Sequence, residues 1–158
     1  MKFAYRRYDT PVRSPLDGET EVFRPEIPVR LIGSLSDVFV LGLLDTGSDS
    51  VVMGRGIAER IGARLRRRPR WKVHGFGGQS LEAVRGMIEI EIVHRGESLC
   101  WPLPIAVVTH DDPDQNEVLL LGQSGFLQFF DVRFFGEEHL VELKPNAKFP
   151  RKPIRTDH

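Results

Sequence analysis

The segment 43–48, with the sequence LLDTGS, places one carboxylate where an apolar run gives way to small polar residues. A buried, isolated carboxylate is costly, so an aspartate at the end of an apolar strand is paired, strongly hydrogen-bonded or functional. A carboxyl group with a perturbed environment can take up or release a proton in a reaction. We therefore interpret Asp45 as a catalytic candidate.

The three residues after Asp45 have types that suit a tight loop around a reactive carboxylate. Thr46 is expected to anchor the loop through its hydroxyl, and Ser48 to donate a hydrogen bond to the carboxylate. Gly47, which has no side chain, lets another carboxyl or a substrate approach the backbone. An ordinary turn at a strand end has a similar composition, so this loop has to be judged with the elements around it.

The loop after Asp45 is positioned by strands that the sequence predicts before it and later in the chain. The run 38–44 is almost wholly apolar and predicts a strand buried on both faces. The extended segment before it, Glu21 to Ile32, contains Pro25 and Pro28, which favour an edge strand. A turn at 33–37 joins the two into a hairpin that delivers Asp45. The run Val118 to Leu121, ended by Gly122, predicts a second buried strand.

The remaining chain is also dominated by strand patterns. Two arms, Trp71 to Phe76 and Leu81 to Val93, are joined through the sequence GGQS at 77–80, which is typical of a hairpin tip that can move. Further strands are expected at 99–108, 132–135 and 140–143. Short helices are expected around Ile57–Ile61, ended by Gly62, and over Ser124–Phe130. These patterns predict an all-β domain with one or two short helices.

Composition limits the possible classes of function. The 158 residues include 22 basic and 22 acidic side chains, a balance that gives no general attraction to nucleic acid or to an anionic membrane. The single Cys100 excludes an internal disulfide framework and suits a reducing compartment. No apolar run approaches the roughly 20 residues that cross a bilayer, and the charged N-terminus is unlike a secretory signal. We expect a cytoplasmic protein with no nucleic-acid or membrane partner.

The sequence DTGS at 45–48, following an apolar strand, resembles the active-site motif of aspartic peptidases. Three further motifs follow in the order of a retropepsin-like single lobe: GFGG at 75–78 in the place of the mobile flap, LLLG at 119–122, and GFL at 125–127. The resemblance covers 22–143. It leaves 1–21 as an N-terminal strand and connection, and 144–158 as a basic, Pro-rich tail.

This resemblance implies a retropepsin-like, closed β-barrel lobe and an aspartic endopeptidase that acts on polypeptides. It assigns Asp45 as the catalytic carboxyl and places Phe76, Gly77 and Gly78 at the flap tip, over the substrate. The viral members usually carry Arg after the glycine that Gly122 matches, whereas this chain has Gln123. An ion pair between subunits through that arginine is therefore not expected.

The chain contains one Asp-Thr-Gly, although a catalytic dyad needs two aspartates. A two-fold homodimer solves this, because symmetry brings Asp45 of each subunit to the axis. The resemblance implies the same dimer, in which water held between the two carboxyls attacks the peptide bond without a metal or other cofactor. A noncatalytic dimeric peptide-binding module with the same fold remains an open alternative.

Other candidate sites are weaker. The basic run from Arg64 to Lys72 is compatible with a nucleic-acid adaptor, but a solvated face is favoured for a chain with balanced charge. The five histidines show no metal-ligand spacing, so no metal site is expected. Cys100 lies in an apolar strand pattern and is interpreted as a core residue.

Overall fold

A computed structural model describes residues 1–74, 80–109 and 117–150 of the chain. The described residues form twelve β-strands, one α-helix and a short 3₁₀ turn, which confirms the all-β prediction. Their bounds are β1 Lys2–Ala4, β2 Arg6–Asp9, β3 Glu21–Arg24, β4 Glu26–Ile32, β5 Asp37–Leu44, β6 Val52–Met53, α1 Arg55–Ile61, β7 Arg64–His74, β8 Ser80–His94, β9 Glu97–Val108, β10 Leu119–Leu121, the 3₁₀ turn Leu127–Phe129, β11 Phe130–Phe135 and β12 Leu140–Pro145.

Six strands form a closed barrel in the order β4-β5-β10-β6-β9-β8, and pairing of β4 with β8 closes it. The pairs β5–β10 and β6–β9 are parallel, and the other neighbours in the barrel are antiparallel. Strand β7 extends from the barrel as the hairpin partner of β8. A three-stranded sheet, β1-β12-β11, and the ribbon β2–β3 lie outside the barrel.

The segment expected to be an edge strand is a barrel strand with neighbours on both sides. Strand β4 pairs with β5 along its whole length, and with β8 over Arg30–Ile32. Pro28 faces Leu41 of β5 and precedes the first residue that pairs with β8. A proline is tolerated there because its missing N–H leaves no gap in a second ladder.

Strand β5 is also less buried than its composition predicts. Its side chains alternate, so Gly42 and Leu44 are buried, whereas Phe39 is 71% exposed and Leu41 38% exposed. A strand in a barrel wall has one face toward the core and one face away from it, which explains the alternation. Strand β10 does match its prediction, since Leu119 and Leu121 are buried.

The first predicted helix is confirmed and the second is shorter than expected. Ile57 and Ile61 of α1 are fully buried, and Gly62 ends the helix in the left-handed conformation with φ +66°. Over 124–130 only the 3₁₀ turn forms. Gly125 has φ +93°, a value that no α-helix can contain. Among the described residues, no helix has the length and hydrophobicity to cross a membrane.

Residues at both ends of the described chain pack on the same core. Phe3 of β1 is buried, and β1 pairs with β12. The expected tail does not begin at Lys144: β12 continues to Pro145, and the ring of Phe149 lies 5.2 Å from that of buried Trp101. The indole N–H of Trp101 donates to the carbonyl of Gly125, 3.0 Å away. This aromatic cluster therefore connects the C-terminal segment to the chain that follows β10.

Candidate active site

Asp45 lies directly after β5, where β5 runs parallel to β10. The pair is in register at Leu43 with Leu120 and at Leu44 with Leu121. The backbone N–H of Asp45 donates to the carbonyl of Leu121 at 3.2 Å, which extends the parallel pairing to the aspartate itself. Asp45 is half-buried. The two apolar strands predicted from the sequence thus hold the carboxylate between them.

The loop after Asp45 holds one oxygen of the carboxylate by a backbone donor. The N–H of Gly47 donates to Asp45 Oδ1 at 3.0 Å, and the N–H of Ser48 donates to the Asp45 carbonyl at 3.3 Å. A Cβ at Gly47 would lie 3.4 Å from the same Oδ1. A carboxylate that accepts a backbone hydrogen bond has its orientation fixed, while its second oxygen stays available for chemistry.

The hydroxyls of Ser48 and Thr46 have different contacts in the structure. Ser48 Oγ donates to the carbonyl of Ser50 at 2.8 Å, so it stabilises the loop backbone and does not bond the Asp45 carboxylate. Thr46 is exposed, and its hydroxyl forms no hydrogen bond within the described part of the chain. The carboxylate is thus oriented by a glycine N–H, a contact that residue types alone do not reveal.

The segment after β10 locks the Asp45 loop from the other side. Gln123 donates from Nε2 to the carbonyl of Thr46 at 3.1 Å, and from its backbone N–H to the carbonyl of Ser48 at 2.9 Å. Ser124 donates its N–H to the carbonyl of Asp49 at 2.9 Å. Sequence reasoning noted Gln123 only for the arginine it replaces. Its position, directly after Gly122, is the signal that would have indicated a structural role.

Gly122 makes this close contact possible. A Cβ there would lie 2.2 Å from the Ser50 carbonyl oxygen and 2.6 Å from the Ser48 carbonyl oxygen. No side chain tolerates such distances to backbone atoms, so only glycine lets the two segments meet. The glycine that ends the LLLG motif is therefore explained by its contact with the loop of the DTGS motif.

One row of half-buried apolar side chains continues from the aspartate across the barrel wall. Val52 of β6 pairs with Leu120 of β10, and Leu120 pairs with Leu43 of β5. Directly paired residues share a face of a sheet, and alternation along β5 places Asp45 on the same face as Leu43. The carboxylate is thus bordered by an apolar surface that the core does not use.

Asp45 has no acidic partner among the described residues. Within 1–74, 80–109 and 117–150, no other acidic side chain hydrogen-bonds to Asp45, and no cluster of three or more His, Cys, Asp or Glu residues suits a metal ion. Asp131 lies in β11, outside the barrel. The predicted flap-tip residues Phe76, Gly77 and Gly78 fall outside the described residues, although the β7–β8 pairing leads up to them, ending at His74 and Ser80.

Comparison with known proteins finds similarity among solved structures. No family model and no curated protein matches the chain. The EIAV protease complexed with the inhibitor HBY-793 is 26% identical, with a TM-score of 0.43 over 63% of this chain and 82% of that chain. A retropepsin-like aspartic protease from Rickettsia conorii is 15% identical, with a TM-score of 0.47 over 89% of this chain and 94% of that chain. Both are named as proteases, and the second as a member of the group that the Asp45 motif resembles.

Proposed function

We propose that the protein is a homodimeric aspartic endopeptidase in which Asp45 of each subunit supplies one catalytic carboxyl. The observation that carries the proposal is the fixed orientation of Asp45, whose Oδ1 accepts the Gly47 N–H in a loop that Gln123, just after β10, also holds. A turn that only connects two strands does not need its carboxylate to be oriented by a second strand and a close glycine contact.

The need for a dimer follows from the number of carboxylates. A single ionised carboxylate accepts a proton but has none to donate, whereas amide hydrolysis requires both steps. Two carboxyls about 3 Å apart cannot both be ionised, so a symmetric pair holds one shared proton. A two-fold axis close to Asp45 creates that pair from one sequence position.

In the proposed reaction, the ionised carboxyl takes a proton from water as the water oxygen attacks the carbonyl carbon of the substrate. The protonated carboxyl donates its proton to the carbonyl oxygen, which gives a neutral tetrahedral intermediate. That intermediate then collapses: one of its hydroxyls gives its proton to the ionised carboxyl, the C–N bond breaks, and the amide nitrogen takes up the proton of the other carboxyl. The dyad returns to its starting state with one proton, so no cofactor takes part.

The substrate in this proposal is an extended polypeptide. The apolar row formed by Leu43, Leu120 and Val52 offers a surface for its side chains, and the predicted flap tip at Phe76, Gly77 and Gly78 would cover its backbone. A cytoplasmic location remains part of the proposal. Fractionation of cells that express the full chain, with detection of the native protein, would test that location.

The central experiment compares the wild-type protein with Asp45→Asn on a peptide library from about pH 3 to pH 8. We expect the wild type to cleave and Asp45→Asn to lose at least about 1,000-fold in kcat/KM, because the dyad can no longer exchange a proton. Asp131→Asn is the matched control, since Asp131 is exposed and lies outside the barrel. Equal activity of the two variants, or no cleavage by a wild-type dimer, would refute the proposed peptidase activity.

The assembly is tested separately by sedimentation and by dilution. Specific activity should fall as the enzyme is diluted through the dissociation range of the dimer, because each site needs two chains. A monomer with full activity would exclude the shared dyad. A dimer that binds peptides and cleaves none of them would instead favour the noncatalytic peptide-binding module.

A further inference from the structure

We propose that a cleft beside the Asp45 loop binds an acidic side chain of the substrate. This inference rests on the proposed function. The cleft has a volume of about 440 Å³ and lies between the β7–β8 hairpin and the segments that surround Asp45. We call it the basic cleft, and its wall includes Ser50, Arg66, Arg68, Trp71, Arg85 and Ser124.

The register of the strands connects the basic cleft with the catalytic candidate. The apolar row at Leu43, Leu120 and Val52 continues through Ala106 of β9 to Arg85 of β8 and Arg66 of β7. Residues paired in this way share one face of the sheet. Ser50 lies on the same face, since it is two residues from Val52. A peptide along this face would thus contact both the carboxylate and the arginines.

The described part of the chain does not neutralise the charges in the cleft. Arg66 and Arg85 stand directly opposite each other in the antiparallel β7–β8 pair, an arrangement that destabilises a sheet. Within the described residues, no carboxylate lies within ion-pair distance of Arg66, Arg68 or Arg85. An anionic ligand would relieve this repulsion, whereas a neutral one would not.

A bulge adds the third arginine to the cleft. The β7–β8 register shifts between Arg66 and Arg70, so residues 67–69 have no partner in β8. Bulges of this kind redirect side chains and occur often beside functional sites. Arg68 lies in the bulge and lines the cleft. Trp71, 37% exposed, adds an apolar wall next to the guanidinium groups.

Several other arginines of the described chain form ion pairs, which reduces the charge available to nucleic acid. Arg70, on the same strand, is 2.8 Å from Glu82, and Arg60 is 2.9 Å from Glu117. Binding of nucleic acid usually needs many phosphate contacts over an extended basic surface. Arg66, Arg68 and Arg85 instead line one cleft next to the Asp45 loop, and a guanidinium group is well suited to bind a carboxylate there.

The acidic residue is expected within about five residues of the cleaved bond. Ser50 follows Asp45 by five positions, and five residues of fully extended chain span at most about 18 Å. An extended substrate covers the same distance with about five residues. The structure thus gives both the class of side chain and the range of positions to examine.

Binding is measured with the full-length Asp45→Asn protein, so that cleavage does not interfere. The probes are labelled peptides of about ten residues, in matched pairs with Glu or Gln at each position. We expect one Glu peptide to bind at least about tenfold more tightly than its Gln partner, because a charge-assisted hydrogen bond is lost in the latter. Arg85→Gln and Arg66→Gln should remove most of that difference, whereas Arg70→Gln, the matched control, should keep it.

A charge reversal gives a second, independent readout. Arg85→Glu should move the preference from Glu toward Lys at the same peptide position, a change that a merely misfolded variant would not show. Equal affinity for Glu and Gln peptides would overturn the proposal. So would a preference that survives Arg85→Gln, or tighter binding of a single-stranded DNA oligomer than of the best Glu peptide.

Cleavage by the wild type separates this inference from the proposed function. Library cleavage with Glu or Asp enriched at one position supports both. Cleavage without acidic enrichment would support the proposed peptidase activity and overturn the proposal that the basic cleft binds an acidic side chain. Binding of Glu peptides that depends on Arg85, without any cleavage, would support the cleft and overturn the peptidase.

Discussion

The Asp45 loop and the basic cleft lie on the same face of the barrel but are stabilised in opposite ways. In the loop, backbone groups of 45–50 and side chains such as Ser48 and Gln123 bond to one another within the chain. In the cleft, two arginines face each other without a carboxylate in the described residues. The proposed function accounts for this difference: the reacting group is fixed in advance, and the charges of the cleft are left for a ligand.

Such a division suits a hydrolase. Preorganised groups accelerate a reaction because they need no rearrangement in the transition state. Binding groups gain most when a ligand supplies the partner that the free protein lacks. The comparison therefore gives opposite expectations for variants at the two places: changes in the loop should cost stability, and loss of a cleft charge should not.

Gly122→Ala should have the largest effect on the loop. The new Cβ would lie 2.2 Å from the Ser50 carbonyl oxygen, so the two segments must separate. We expect a loss of about 3 kcal/mol in the free energy of unfolding. That loss corresponds to about 10 °C in Tm for a domain of this size, measured by thermal denaturation.

Gly136→Ala is the control for that substitution. Nothing lies within 4 Å of the Cβ that it would introduce. Its Tm should stay within about 2 °C of the wild type. If both variants had the same Tm, the contact between Gly122 and the Asp45 loop would have no energetic importance.

Gln123→Ala should have the next largest effect. It removes the hydrogen bond to the Thr46 carbonyl and leaves the backbone contacts of Gln123 in place. We expect a loss of about 1 kcal/mol in stability and about tenfold in kcat/KM, because a looser loop positions Asp45 less well. Gln128→Ala, at another exposed glutamine, should change neither. Wild-type kinetics in Gln123→Ala would show that the loop is held without this amide.

The sequence predicts much of the structure around the Asp45 loop but little of the basic cleft. The apolar runs before Asp45 and Gly122 predicted two strands, and these strands do hold the aspartate. The role of Gly122 required the distance between two segments that are far apart in sequence. Ser48 was assigned to the wrong acceptor because a hydroxyl has several partners within reach, and only the backbone path decides among them.

The basic cleft could not be predicted from the sequence, for a different reason. The described side chains of the basic run 64–72 are mostly exposed, as the sequence predicts, yet a shift in register gives Arg66 and Arg70 different neighbours. Arg70 finds Glu82, whereas Arg66 meets Arg85. Composition gives the number of charges in a segment, but register decides which of them are paired.

Glu91→Gln tests the ion pair between Arg30 and Glu91 on the same barrel. Ser98 donates a 2.6 Å hydrogen bond to Glu91, and Arg30 lies 3.0 Å from its other oxygen; both lower the pKa of Glu91, against the opposing effect of burial. A lowered pKa stabilises the fold above the ordinary glutamate pKa, and this contribution is lost as the pH falls through the folded-state value.

The variant should therefore have a Tm about 1–2 °C below the wild type at pH 7, with the difference shrinking below about pH 4. Thermal denaturation across this pH range measures it. A difference that grows toward acid pH would have the wrong sign for a carboxylate stabilised in its charged form.

Arg85→Gln should have the smallest effect, and one of opposite sign. Without a ligand, Arg85 is repelled by Arg66, so removing its charge should raise the free energy of unfolding by about 0.3 kcal/mol. Arg70→Gln loses the ion pair with Glu82 and should lower it by a similar amount. Both changes should shrink in about 1 M salt, which screens exposed charges. If Arg85→Gln destabilised the protein as Arg70→Gln does, Arg85 would already have an internal partner, and the cleft would not need an anion.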